Sequence, residues 1–243
     1  MKRHLLIAAG IWILLTVVAE AIVINTDFNP VQAAEEAVII DEAFDFLFIL
    51  GTPVFTFVVA VLAYSVLRFR SSGDPPQDGV PIHTSRAVTI PWLLITAGLA
   101  IFVIFDPGLK GINELRARAN AELIVEVTAE QWQWDYSYPQ FGIEIVDADE
   151  LVLPAERPVK FEITSRDVIH SFWIPAFRMK ADAVPGLISE LYVTPSLIGS
   201  FDDDINLRVQ CAELCGTGHT RMRTRLRILA PDEFDQWVSD QGQ

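Results

Sequence analysis

The alternation of apolar and polar positions divides the chain into two unlike parts. Residues 5–24, LLIAAGIWILLTVVAEAIVI, are nearly all apolar and follow the basic start Met1-Lys2-Arg3-His4. The apolar core Leu5–Val18 followed by Ala19-Glu20-Ala21 has the length and cleavage pattern of a signal peptide. Run on to Ile24, the same segment reaches the ~20 residues of a membrane span, so residues 1–24 are read as a signal peptide or an additional transmembrane helix. Phe46–Leu67 and Ala87–Phe105 are uncharged for long enough to cross a bilayer, and Gly51 and Pro53 are tolerated in such helices. They predict a transmembrane α-helical hairpin within a membrane anchor spanning 25–105.

Past a polar connector at 106–120, helical in part from Gly111 to Asn120, the period of the pattern changes to two. Leu123, Val125 and Val127 alternate with polar or outward positions. So do Val159, Phe161 and Ile163; Ile205, Leu207 and Val209; and Leu226 and Ile228. Turn signals at Ala148-Asp149, Leu153-Pro154, Val184-Pro185-Gly186 and Ser200–Asp204 separate these runs. The spacing predicts an all-β sandwich or barrel over 121–230. A short helix at 232–238, with acidic residues in its first turn, is expected to open the tail 231–243.

Charge orients this plan. Residues 25–45 carry Asp27, Glu35, Glu36, Asp41, Glu42 and Asp45 without a Lys or Arg, whereas Arg68, Arg70, His83 and Arg86 flank the Pro/Gly-rich stretch Ser71–Pro81. The positive-inside rule then places the Arg-bearing loop in the cytoplasm and everything after Asp106 outside. The net charge of −14, with no basic cluster of the kind nucleic acid requires, argues against DNA or RNA as a partner and favours steering of a basic one.

The chemistry concentrates in Cys211–Met222, between two predicted strands. It holds the only two cysteines of the chain with His219, Met222 and Glu213 in one Gly-bearing loop. Thiolate, imidazole and thioether form a soft donor set that suits copper rather than magnesium or calcium. By count alone, two cysteines three residues apart are equally compatible with a disulfide. His170, in Asp167-Val168-Ile169-His170-Ser171, is the remote histidine available to complete a site. An ordinary hydrogen-bonded histidine is the default elsewhere, and a Trp132/Trp134 pair at i, i+2 is commonly core packing in a β domain. Asp202-Asp203-Asp204 reads as a solvated turn.

The pattern Cys211-x-Glu213-x-Cys215-x3-His219-x2-Met222, with His170 upstream, resembles the binuclear CuA site of cytochrome c oxidase subunit II. The resemblance runs from about Asp41 onward and implies a cupredoxin-like Greek-key β domain behind the helical hairpin. It implies that Cys211 and Cys215 bridge two coppers, that His170 and His219 ligate one each, that Met222 is a weak ligand and that Glu213 ligates through its backbone carbonyl. It further implies a Mg or Mn ion reached by the Glu213 side chain at the interface with the catalytic subunit. Within Gln131-Trp132-Gln133-Trp134-Asp135-Tyr136-Ser137-Tyr138, Trp132 matches the electron-accepting tryptophan, and Asp167 and Asp182 match acidic residues near the copper.

The implied partners are the haem-copper oxidase catalytic subunit I, other oxidase subunits, membrane lipid, and cytochrome c or another soluble donor. The implied location is a bacterial cell membrane, multi-pass, with the copper domain on the extracytoplasmic side. The sequence departs from the family at Thr89, where a glutamate serving proton intake is common, and at Gln133, where an aromatic residue often stands. Nitric oxide reductase with the same electron-accepting module is an alternative. A membrane-anchored copper-delivery factor also uses C-x3-C and a distant histidine, but would show βαβ alternation. A quinol-oxidase subunit of this fold lacks the ligands that are all filled here.

Overall fold

The structure is a computed structural model and describes residues 2–70 and 84–241; the predicted turn Ser71–Pro81 and His83 lie outside the described residues. It divides into two compact units, residues 1–28 with 42–111 and residues 29–41 with 112–243.

The first unit is helical. Helices α1 (Lys2–Asn25), α2 (Glu35–Arg68) and α3 (Arg86–Val103) are each long and apolar enough to cross a membrane. No α1 side chain is buried, as suits an apolar helix whose solvent is lipid. Three of its polar side chains meet α2. His4 Nδ1 lies 2.8 Å from the Tyr64 hydroxyl, Trp12 Nε1–H donates to the Pro53 carbonyl at 2.8 Å, and the Thr16 and Thr56 hydroxyls are 2.7 Å apart. Polar side chains of this kind join helices where water is absent. Asp106 is extended (φ −139°, ψ 111°), as the residue before Pro107 is driven to be, and α4 (Lys110–Ala117) follows.

The second unit is a β sandwich. One sheet has the order β3-β2-β1-β5-β8, built from β1 (Leu123–Glu130), β2 (Gln133–Tyr138), β3 (Ile143–Ile145), β5 (Val159–Ser165) and β8 (Ser189–Val193). The other has the order β4-β11-β10-β6-β7, from β4 (Glu150–Pro154), β6 (His170–Ile174), β7 (Met179–Ala183), β10 (Arg208–Cys211) and β11 (Arg223–Leu229), with β9 (Gly199–Ser200) also on β11. β1 runs parallel to β5 and β4 parallel to β11, while the remaining pairs are antiparallel. Apolar residues of β1, β5 and β11 alternate inward as their period-two pattern predicts. Helix α5 (Pro231–Gln241) is longer than the predicted 232–238 and buries Phe234, with Trp237 edge-on to Tyr138 at 5.2 Å.

Two expectations are corrected. The strand predicted from Ile205 begins only at Arg208, because Asp204 Oδ1 accepts from the backbone N–H and side-chain amide of Asn206, and Asp203 accepts from Ser200. These side chains hold the preceding residues in turns. The second concerns residues 29–41, read as part of the membrane anchor, which pack with the sandwich instead. Ala33, Ala34 and Ala37 are fully buried among its core residues. Ala33 N–H donates to the Ala176 carbonyl, Glu35 N–H to Thr194 and Ser196 N–H to Ala33, while Glu36 Oε2 accepts from Thr194 N–H at 2.8 Å. Asp41 accepts both the Nε and Nη2 hydrogens of Arg178, at 2.6 and 3.0 Å, and a third bond from Gln32. Both charged side chains are only 8% exposed.

Candidate metal centre

The sheet supplies a frame for the loop. β10 ends at Cys211 and β11 begins at Arg223, and the Cys211 N–H donates to the Met222 carbonyl at 3.0 Å, closing the loop at its neck. Cys211 at the end of β10 and Met222 just before β11 both turn inward and are buried, as are Cys215 and His170 at the start of β6.

The six sequence-predicted donors converge there. The two sulfurs are 3.7 Å apart and both cysteines are free. A disulfide needs about 2.05 Å, whereas one ion with bonds near 2.3 Å to thiolate could touch both. His170 Nδ1 stands 3.8 Å and the Glu213 carbonyl 3.2 Å from Cys211 Sγ; His219 Nδ1 stands 3.6 Å and Met222 Sδ 3.8 Å from Cys215 Sγ. The ligand atoms of His170, Cys211 and Cys215 all lie within 4.8 Å of one another. Each sulfur therefore has its own imidazole and its own weak donor, a soft set that fits copper. The Glu213 side chain is exposed and plays no part in this cluster.

Burial pushes the Cys215 thiol up to about 12, reinforced by the neighbouring Cys211. Without metal the pocket thus holds Cys215 as a neutral thiol at pH 7. Asp167 is tuned the other way. Burial acts to raise its carboxyl, but bonds from His170, Val168 N–H and Gln131 N–H outweigh that and hold it below the usual range.

Asp167 also decides which imidazole nitrogen faces the sulfurs. Its Oδ1 lies 2.9 Å from His170 Nε2, and a carboxylate only accepts, so Nε2 carries the proton and Nδ1 presents a lone pair to the cluster. Such carboxylate–histidine pairs fix ring orientation and ligand basicity. Asp167→Asn is expected to lower metal affinity about 10- to 100-fold, read by chelator competition, with the fold intact by circular dichroism.

The two tryptophans separate. Trp134, on β2, is buried and edge-on to Phe172 at 5.6 Å, as core packing requires. Trp132 lies in the turn before β2, is 36% exposed, and donates its indole N–H to the Cys215 carbonyl at 3.1 Å. Gln131 Nε2 donates to the same carbonyl at 2.7 Å, and Gln131 N–H to Asp167 at 2.8 Å. The carbonyl of a ligand residue is thereby tied to an exposed indole, and the ligand loop to Asp167.

Gly218 makes that approach possible. A Cβ there would sit 2.2 Å from Trp132 Cδ2. Gly216 has φ +109°, which L side chains rarely adopt. Gly218→Ala is expected to displace the indole from the Cys215 carbonyl while metal content stays unchanged, measured by tryptophan fluorescence against metal analysis. Sequence reading did not single out Gln131 or the two glycines. Their roles arise from contacts across the loop, and no local pattern signals them.

Comparison with known proteins bears on this arrangement. Residues 143–228 match the profile of the family described as Cytochrome C oxidase subunit II, periplasmic domain. The cytochrome c oxidase subunit 2 of Thermostichus vulcanus is 28% identical over 86% of this chain and 76% of its own length. That of Synechocystis sp. is 29% identical over 88% and 76%. The chain belongs to the cytochrome c oxidase subunit II family. It is thus a subunit of an oxidoreductase complex, with a cupredoxin-like β domain and apolar helices consistent with a transmembrane anchor. Among solved structures, the periplasmic domain of subunit II of cytochrome oxidase of Bradyrhizobium japonicum is 30% identical, covering 51% of this chain and 96% of that one, with a TM-score of 0.46.

Proposed function

We propose that this subunit accepts electrons one at a time from a soluble donor, cytochrome c or a protein like it, at a binuclear copper centre. The electrons then pass to haem in the oxidase's catalytic subunit for O2 reduction. The observation that carries the reading is the pair of free, buried thiols 3.7 Å apart, each flanked by its own imidazole. A single copper of the His2Cys kind would leave the second thiol without a task. Cys211, Cys215, His170, His219, Met222 and the Glu213 carbonyl would hold the copper, the two thiolates shared between the metals and one imidazole serving each, and the Glu213 carboxylate would be available to a Mg or Mn ion at the subunit interface. A copper pair held there would supply one-electron redox chemistry. The chain's part is to exclude water by burial, to lock the His170 tautomer through Asp167, and to connect the surface to Cys215 through Trp132.

In the cell, α1, α2 and α3 are three membrane passes of a bacterial plasma membrane, with the N-terminus inside and the sandwich outside. The bonds of Trp12 and Thr16 to α2 support α1 as a resident helix rather than a removed leader. The test is metal analysis with EPR on the purified oxidase. About two coppers per chain in this subunit and a seven-line hyperfine pattern are expected, whereas one copper with a four-line pattern overturns the binuclear reading.

A further inference from the structure

His170 and Met222 are 0% exposed, Cys211 2% and Cys215 3%. An ion in solution reaches these donors only if a segment of the protein moves, so the cluster requires an opening as well as a geometry. Strand residues cannot supply it cheaply. His170 lies in β6 and Cys211 in β10, and Met222 adjoins β11, so moving them would break several ladder bonds at once. The loop between Cys211 and Met222 is different. Glu213, Leu214, Gly216, Thr217, Thr220 and Arg221 are exposed, and this segment covers the donors.

Its attachment is slight. Ala212 N–H donates to the Ser171 carbonyl at 2.9 Å, which ties down the first residue after β10. Beyond it, the N–H groups of His219, Arg221 and Met222 donate to Gly216, Gly218 and His219 within the loop itself. Among the described residues, and apart from contacts between the donors themselves, residues 213–221 are hydrogen-bonded to the rest of the sandwich at a single acceptor, the Cys215 carbonyl. Both of its donors come from the turn between β1 and β2, Gln131 Nε2 at 2.7 Å and Trp132 Nε1 at 3.1 Å. Gln131 is fixed from the other side as well. Its backbone N–H donates to Asp167 Oδ2 at 2.8 Å, and Oδ1 of that carboxylate stands 2.9 Å from His170 Nε2. Gly216 leaves room for the amide, since a Cβ there would stand 3.1 Å from Gln131 Nε2.

We propose that the Gln131 side chain is the latch of the ligand loop: release of the Cys215 carbonyl from the β1–β2 turn lets residues 213–221 move outward and opens the buried donors to a metal ion. The latch rests on the copper reading above. Gln131 is a positioning residue in it, acting on the site through the carbonyl of Cys215. One hydrogen bond of ordinary net strength changes the open population about three- to tenfold. Trp132 remains as the second donor and limits the opening.

The test uses the whole oxidase. Gln131→Ala and the nearly isosteric Gln131→Glu, whose carboxylate cannot donate, are compared with wild type and with Gln133→Ala, whose amide donates to Asp135 rather than to the loop. In copper-depleted enzyme, Cys211 and Cys215 are labelled with N-ethylmaleimide and their peptide is followed by mass spectrometry. Labelling is expected to be about three- to tenfold faster in both Gln131 variants and unchanged in Gln133→Ala, with amide exchange in β1 and β5 as slow as in wild type. In the loaded enzyme, copper transfer to a chelator is expected to accelerate by the same factor. Labelling at the wild-type rate in both Gln131 variants overturns the proposal. So does faster exchange throughout the sheets, which would make Gln131 a contributor to general stability, and so does faster labelling without faster copper transfer. Wild-type oxidase with no copper in this subunit would defeat the copper reading, while the labelling comparison still decides whether Gln131 holds the loop closed.

Discussion

Cys215→Ser is expected to abolish donor oxidation while leaving the sandwich folded. The sulfur of Cys215 stands 3.6 Å from His219 Nδ1, 3.8 Å from Met222 Sδ and 3.7 Å from Cys211 Sγ. A hydroxyl of nearly the same size fits the buried position but does not ionise to a soft donor, so the half of the site around His219 loses its anchor. On the proposed binuclear reading, copper is expected to fall to at most one per chain and no seven-line signal to be seen. The pH profile adds a readout that a merely structural role would not move. Because burial pushes the Cys215 thiol up to about 12, metal must displace its proton at any physiological pH. Apparent affinity therefore rises with pH, about tenfold per unit for each proton released. The serine variant is expected to show a slope lower by one proton. An unchanged slope, measured by competition with a pH-independent chelator, would show that Cys215 is not a ligand.

Arg178→Ala is expected to destabilise the sandwich by about 3–5 kcal/mol, the usual cost of removing one partner from a buried charge pair. The guanidinium donates to both Asp41 oxygens and to the carbonyls of Pro30, Val31 and Pro175. Its loss leaves a carboxylate 8% exposed with Gln32 as its remaining partner in this group. Arg178 lies four residues beyond the end of β6, the strand that His170 opens, so the damage is also expected to reach copper retention on heating. Combining Arg178→Met with Asp41→Leu is expected to recover most of the lost stability, because replacing both members by apolar groups avoids the stranded charge. Thermal unfolding of the two variants, followed by near-ultraviolet circular dichroism, separates the outcomes. A midpoint unchanged in Arg178→Ala would mean that the pair contributes nothing.

The helices and the donor set were legible because each rests on local information. Uncharged runs long enough to cross a bilayer have few alternative homes, and five of the six donors fall within Cys211–Met222. Strands β1, β5 and β11 were legible for a similar reason, being buried on one face only. β2 and β6 carry consecutive buried residues, Trp134-Asp135-Tyr136 and His170-Ser171-Phe172, so no alternation announces them. Asp135 owes its burial to Arg166, whose ion pair with it comes from the turn after β5. The docking of 29–41 was hidden by composition. Its acidic residues read as a solvated loop, yet Glu36 and Asp41 face backbone N–H and guanidinium groups contributed by residues more than a hundred positions away.

That docking makes the copper-bearing unit discontinuous in the gene. A soluble fragment begun at the connector, the natural cut for spectroscopy or crystallisation, would omit residues 29–41. It would expose the surface that Ala33, Ala34 and Ala37 cover, strand the Arg178 guanidinium in an apolar setting, and free the N–H of Thr194 and the carbonyl of Ala176. A fragment that rejoins 29–41 to the sandwich through a short designed linker is the better starting point for work outside the membrane.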